Sequence, residues 1–219
     1  MTYLQLVNAV LRRLRENEVT TLQSLTRQNS YAKLIGDFVN EAKAQVENAW
    51  DWSALRTTLT ATTSQAVFSY DLTGCDNRTK IIDVINDTDD HVLQYRDTGW
   101  FNRAFLTATP EQGSPSYYNP NGLSSVGDLL VDIYPVPDKA YDIRFNVVKR
   151  QADLAADSDV LLVPSRPVIL LATAMAIEER GEDGGQQSVN AYAVGQSALS
   201  DEISFDAARH IEDTIWYEA

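Results

Sequence analysis

Cysteine is nearly absent from this chain of 219 residues: Cys75 stands alone, which excludes an intrachain disulfide. With Met1 leading into an amphipathic stretch and no basic-then-apolar leader, synthesis in a reducing cytoplasm is expected. Long apolar runs are missing too; none approaches the roughly 18–20 residues of a spanning helix, so no membrane partner is expected. Histidine is scarce. His91 follows Asp89 and Asp90, His210 lies in an acidic tail, and neither has metal-ligand spacing. No Walker loop, G-x-G-x-x-G or G-x-S-x-G elbow is present. Asp87, Asp89 and Asp90 lack the glycine and the distant bidentate glutamate of a calcium loop, and read as a hairpin turn. Cys75, in "LTGCDNR", has no basic helix terminus beside it to make a reactive thiolate. No catalytic, metal or cofactor site is expected.

Positive charge runs out along the chain. Residues 1–56 hold 7 Lys/Arg against 6 Asp/Glu, whereas residues 151–219 hold 3 against 13, and the whole carries a formal −13. That balance opposes tight binding of DNA or an anionic membrane. What the chain does have is apolar residues, at 44%, enough for one good core or two small bodies.

Thr2 and Gln5 form a capping box at the start of a helix whose Leu4, Val7, Leu11 and Leu14 mark one face. Arg12, Arg13 and Arg15 lie largely off that face. Ala32, Ile35, Val39, Ala42, Val46 and Ala49 predict a second helix over roughly 30–51. In "QVENAWDWSALRTTLT" this helix hands the chain directly to a strand, with Trp50 and Trp52 flanking the change. Trp50 is expected to seal the helix end and Trp52 to cover the base of the first strand, as a domain junction.

From 55 to 150 the pattern is short strands. "TKIIDVINDTDDHVLQYR" reads as a hairpin, "DTGWFNRAFLT" as a short helix capped by Asp97 or Thr98, and "GSPSYYNPNG" as a loop. Tyr141, Ile143, Phe145 and Val147 alternate cleanly. "VILLATAMAIEER" then predicts the most buried helix, and Val189, Tyr192, Gln196, Leu199 and Ile203 the stripe of a last one. The expected fold is α+β. The N-terminal helix pair (1–54) and C-terminal pair (151–206) close one antiparallel four-helix bundle, with a β-rich domain (55–150) inserted and a docking extension (207–219) at the end.

Glu178, Glu179 and Glu182 cluster at a helix C-terminus, where the helix dipole disfavours acids. A partner's positive charge would relieve them; Arg12, Arg13 and Arg15 of a neighbouring copy, or of the same one, are the candidates. Ile211, Ile215, Trp216 and Tyr217 form an apolar stripe among acids, suited to docking in a groove.

The opening "TYLQLVNAVLRRLRE", the helix ending in "VENAWDWSALR", the β insertion and the return through "LLVPSRPVILLATAMAIEERGEDGG" resemble one family over essentially the whole chain. It is similar to the head-to-tail adaptors of short-tailed bacteriophages, the group of tail tubular protein A and the tail accessory factors. The resemblance implies a non-enzymatic virion protein of the neck, made in the host cytoplasm. It implies a homo-oligomeric ring, usually a dodecamer, between the portal protein and the tail nozzle, with tail fibres as a further partner. Genomic DNA would cross the lumen without specific binding. Ile211, Ile215, Trp216 and Tyr217 would map onto the family's portal-docking segment. The rival readings are a head-completion or neck protein of another phage type, and a virion-borne cell-wall hydrolase using Glu178 and Glu182 as an acid/base pair.

Overall fold

The computed structural model describes residues 1–23, 27–106, 109–181 and 185–209. In chain order, helices α1 (Tyr3–Arg13) and α2 (Arg27–Ala49) come first, and a 3₁₀ turn (Ser53–Leu55) follows. Strands β1 (Arg56–Thr62), β2 (Ser69–Leu72), β3 (Lys80–Asn86), β4 (His91–Val92) and β5 (Gln94–Tyr95) precede helix α3 (Thr98–Phe105). Strands β6 (Tyr117–Leu123), β7 (Leu129–Tyr134) and β8 (Asp142–Val148) lead to helices α4 (Ser165–Arg180) and α5 (Gln186–Ala207). The chain divides into two compact units, one of residues 1–54 with 151–219 and the other of residues 55–150.

In the helical unit, α1 opens on the expected capping box: Thr2 Oγ1 accepts from Gln5 N, and Gln5 Oε1 accepts from Thr2 N. Helix α4 is the hub. Pro164 precedes it, Gly181 ends it in the left-handed conformation (φ 63°), and Val168, Leu171, Ala172, Ala174, Met175 and Ala176 are all buried. A helix apolar on so many sides accepts several partners, and α4 packs against α1, α2 and α5.

The expected antiparallel four-helix bundle is not what forms. The class is α+β, with five helices and two four-stranded sheets among the described residues. The terminal helix pairs do not close a bundle. Helix α5 packs on α4 alone to any extent, whereas a bundle would set it between two neighbours. The reason lies in the buried face of α5. Gly195, Ala198 and Leu199 are buried, whereas Val189 of the expected stripe is exposed, as is Val194. A Cβ at Gly195 would stand only 2.8 Å from the Leu171 side chain, so the glycine permits a close approach of the two helices. A small residue therefore sets how closely the two helices meet, and of the expected stripe Leu199 is buried while Val189 is left outside.

In the β unit the sheets run β1-β8-β3-β4 and β2-β7-β6-β5. Alternation decides the faces: Ile143, Phe145 and Val147 of β8 join Tyr141, Val84 of β3, Leu72 of β2 and Val131 and Ile133 of β7 in one apolar cluster. The hairpin β3–β4 forms as expected, with Asn86 facing His91 and Asp90 at φ 52° in the turn. Helix α3 is capped by Asp97, whose carboxylate accepts from Trp100 N at 2.8 Å.

One segment departs from its composition. "YYNPNGL", read as loop, is β6, paired with β7 throughout its length apart from an irregularity between Pro120 and Leu123. Pro120 has no N–H to give, and the parallel pairing with β5 has already ended at Tyr118. Gly122 supplies the positive φ (87°) that the irregularity requires. Turn-forming residues thus sit where a strand has a bulge and a vacant flank.

Candidate functional site

No constellation among the described residues has the geometry of an active site. No group of His, Cys, Asp and Glu there could hold a metal ion. His91 Nε2 lies 2.8 Å from the Pro115 carbonyl and 3.4 Å from Ser116 Oγ. The nearer carbonyl claims a proton on Nε2, and a protonated Nε2 cannot take one from the serine. Asn86 Oδ1 accepts from Thr88 N and Asp89 N, and Asp87 pairs with Arg144 at 2.9 Å, so the acidic cluster is a self-satisfied turn. Burial pushes the Cys75 thiol up, away from the thiolate.

What the helical unit has is a set of polar side chains that join segments far apart in sequence. Lys43, on α2, is fully buried; its Nζ donates to the carbonyls of Gln151 (2.7 Å) and Ala152 (3.1 Å) and lies 3.4 Å from Glu47 Oε1. One turn earlier Asn40 donates to Leu154 O and accepts from Leu154 N. Asp157 accepts from Thr21 Oγ1 (2.5 Å) and Leu22 N. Asp159 accepts from Ala155 N and Ala156 N, which holds its carboxyl below the usual range. The start of the chain joins the same segment, through Tyr3 N to Asp159 O and Leu161 N to Met1 O. A stretch without helix or strand is thereby held at nearly every residue.

The sequence-derived residues fall as follows. Trp52 is buried and its indole donates to the Val46 carbonyl in the last turn of α2 at 2.7 Å. Trp50 donates instead to Asp206 of α5 at 3.1 Å, and the same buried carboxylate accepts from Ser53 N and Ser53 Oγ. Both tryptophans thus work within the helical unit, one on α2 and one on α5.

Arg12, Arg13 and Arg15 are exposed at the end of α1, and Arg12 pairs with Glu18 at 3.0 Å. Glu178 and Glu179 are exposed in the last turn of α4. Glu182, Ile211, Ile215, Trp216 and Tyr217 lie outside the described residues. Within the chain, the α1–α2 connection and the α4 terminus meet through a different pair. Arg180 donates to Glu16 at 2.7 Å and to the Tyr31 hydroxyl at 2.9 Å, its guanidinium 5.1 Å over the Tyr31 ring. The acid comes from the segment after α1 and the base from α4.

Sequence reasoning passed over Lys43, Asn40 and Asp206 because charged and amide side chains ordinarily mark a solvated face. A signal existed for two of them: Asn40 and Lys43 directly follow Val39 and Ala42 of the α2 stripe, so they flank the buried face. Asp206 carried none.

A last feature is a groove of about 380 Å³ in the helical unit, lined by Trp52, Leu162, Val163, Arg166, Phe205 and Arg209 among others. Among the described residues no helix is long and apolar enough to cross a membrane.

No curated protein matches the sequence. The family model described as SU10 adaptor protein matches residues 1–214, nearly the full length. The chain therefore belongs to the SU10 adaptor protein family and is a head-to-tail adaptor, a structural protein of a bacteriophage virion.

Proposed function

We propose that this chain joins the portal to the tail nozzle of a short-tailed phage as one subunit of a ring, usually of twelve copies, around the DNA ejection channel. The observation that carries the reading is the whole-length match to an adaptor family. The −13 formal charge supports the channel role, because an acidic lumen repels phosphates and lets a duplex slide. The same charge makes complementary pairing between copies necessary. Arg12, Arg13 and Arg15 are exposed for such pairing, and a neighbour's Glu178, Glu179 and Glu182 are the acids they would meet. Ile211, Ile215, Trp216 and Tyr217 dock on the portal. The β unit meets the tail nozzle and tail fibres.

The test is to mix the purified chain with purified portal rings and count adaptors per portal by native mass spectrometry. The expected count is twelve. Trp216→Ala combined with Ile215→Asp is expected to weaken portal binding by at least about tenfold, since two buried anchors are removed. Full binding by that double variant, or none by the native chain, overturns the reading.

A further inference from the structure

The groove lies beside the end of α5. Its rim is apolar and exposed: Phe205 is 61% and Leu162 50% accessible, with buried Trp52 and Val163 behind them. Its two cations are weakly held. Arg166 lies 3.9 Å from Asp201 and Arg209 3.6 Å from Asp206, and both guanidinium side chains remain more than half exposed (63% and 58%). The Arg209 guanidinium lies 4.8 Å over the Phe205 ring, which makes a combined apolar and cationic platform. The wall is preformed, because Asp206 is pinned by Trp50 and Ser53.

We infer that this groove is a docking site for the chain's own segment 210–219, "HIEDTIWYEA", bound in cis by the free subunit. Three observations select that occupant. The segment begins at the groove, since Arg209, the residue before it, is part of the lining. Its apolar residues match the lining, Ile211, Ile215 and Trp216 suiting Phe205, Leu162 and Trp52, and its Glu212, Asp213 and Glu218 have Arg166 and Arg209 to meet, which share the lining with Glu202 and Asp206. Its reach suffices, because ten residues extend to about 33 Å at most, and a reversal after Arg209 lays Ile215 and Trp216 back along Phe205.

A second copy is the weaker occupant on physical grounds. A segment tethered directly to its site has an effective concentration in the millimolar range, which an untethered copy must match in bulk solution. Each approaching copy also brings −13 of like charge. Docking in cis covers the apolar stripe before assembly. A portal must then offer the stripe more than the groove does, which delays tail attachment until a portal is present.

The experiment uses the full chain with Ser165→Cys at the groove and Thr214→Cys in the segment, two positions that spare the apolar contacts. Buried Cys75 is inaccessible to the reagent. A short bis-maleimide is added at micromolar protein, and cross-linked peptides are identified by mass spectrometry. The expected product is an intramolecular link between positions 165 and 214. Adding Phe205→Glu, with the circular dichroism unchanged, is expected to lower its yield at least about tenfold, the equivalent of losing one buried aromatic contact. Links between molecules only, no link at all, or a yield indifferent to Phe205→Glu each overturn the inference. The readout involves no portal, so its failure is separate from failure of the portal-binding test.

Discussion

The two units of this adaptor are held together by different means. The β unit is continuous in sequence, from 55 to 150, and its strands are joined by backbone ladders around one apolar cluster. The helical unit is discontinuous. Its two pieces, 1–54 and 151–219, are separated by the whole β unit, and side chains bridge the gap: Lys43 to Gln151, Asn40 to Leu154, Thr21 to Asp157, Ser53 to Asp206. In the β unit the ladder itself sets the register, both for the consecutive pairs β3–β4 and β6–β7 and for β1, which meets β8 from the other end of the unit. Among the described residues the two pieces of the helical unit share no extended ladder, only an isolated bridge between Thr2 and Val160. Apolar packing alone would leave them free to slide, and directional bonds to specific carbonyls set one alignment. The lesson is that side chains take over the alignment where no backbone ladder is available to set it.

Three experiments sharpen this contrast. The largest effect is expected from Lys43→Ala. It removes the cation beside buried Glu47 and the donor from two carbonyls, with a cost of about 3–5 kcal/mol in urea unfolding. Hydrogen exchange is expected to show protection lost along 151–163 while β7 and β8 keep theirs. Equal loss in both units would break the contrast.

Ile143→Val, in the apolar cluster of the β unit, trims one methylene and is expected to cost roughly 1 kcal/mol with β-unit exchange alone affected. A larger penalty, spreading to the helices, would mean that the two units do not rely on separate devices.

The smallest effect is expected in alkali. Burial, helped by Asp37, Asp153 and Asp157, raises the Tyr3 hydroxyl to about 12. In the β unit the hydrogen bond to Asp138, with burial, raises that of Tyr141 to about 12. A folded-state value above the unfolded one of about 10 gives stability that is complete below pH 10 and lost as pH rises through about 12. Thermal melts between pH 9 and 11.5 are expected to fall in Tm. Tyr3→Phe and Tyr141→Phe should each flatten the fall, the first for the helices and the second for the sheets. An unchanged slope in both variants would place the titrating groups elsewhere.

Much of the β unit was legible from alternation. Tyr141, Ile143, Phe145 and Val147 point one way because the strand period is two, and that does not depend on partners. The capping box at Thr2 and the Asp97 cap are equally local, since each needs only a side chain and an N–H three residues on. The stripe proposed for α5 held at Leu199 and failed at Val189. Gly195 and Ala198 admit α4 more closely than Val189 could, and closeness is a property of two helices, not of one. The segment "YYNPNGL" failed for a related reason. Proline and glycine forbid a central strand only when both flanks are paired, and the vacant flank at Pro120 is set by where β5 ends.

The candidate surfaces divide in the same way. Charge position alone identified the exposed arginines of α1 and the glutamates of α4. It did not identify the groove, because Trp52, Leu162, Arg166 and Phe205 come from three separate stretches of chain.

By itself the sequence determined the α+β class, the places where helices start, the inward residues of the best strands and the strongly acidic character of the chain, because each depends on neighbours in the chain or on a simple count. Only the tertiary structure decided that α4 is the hub, that no four-helix bundle closes, and that Lys43 is a buried clasp and not a solvated charge. Those outcomes depend on which surfaces meet, and the free energy of burying a group is defined only once its surroundings are.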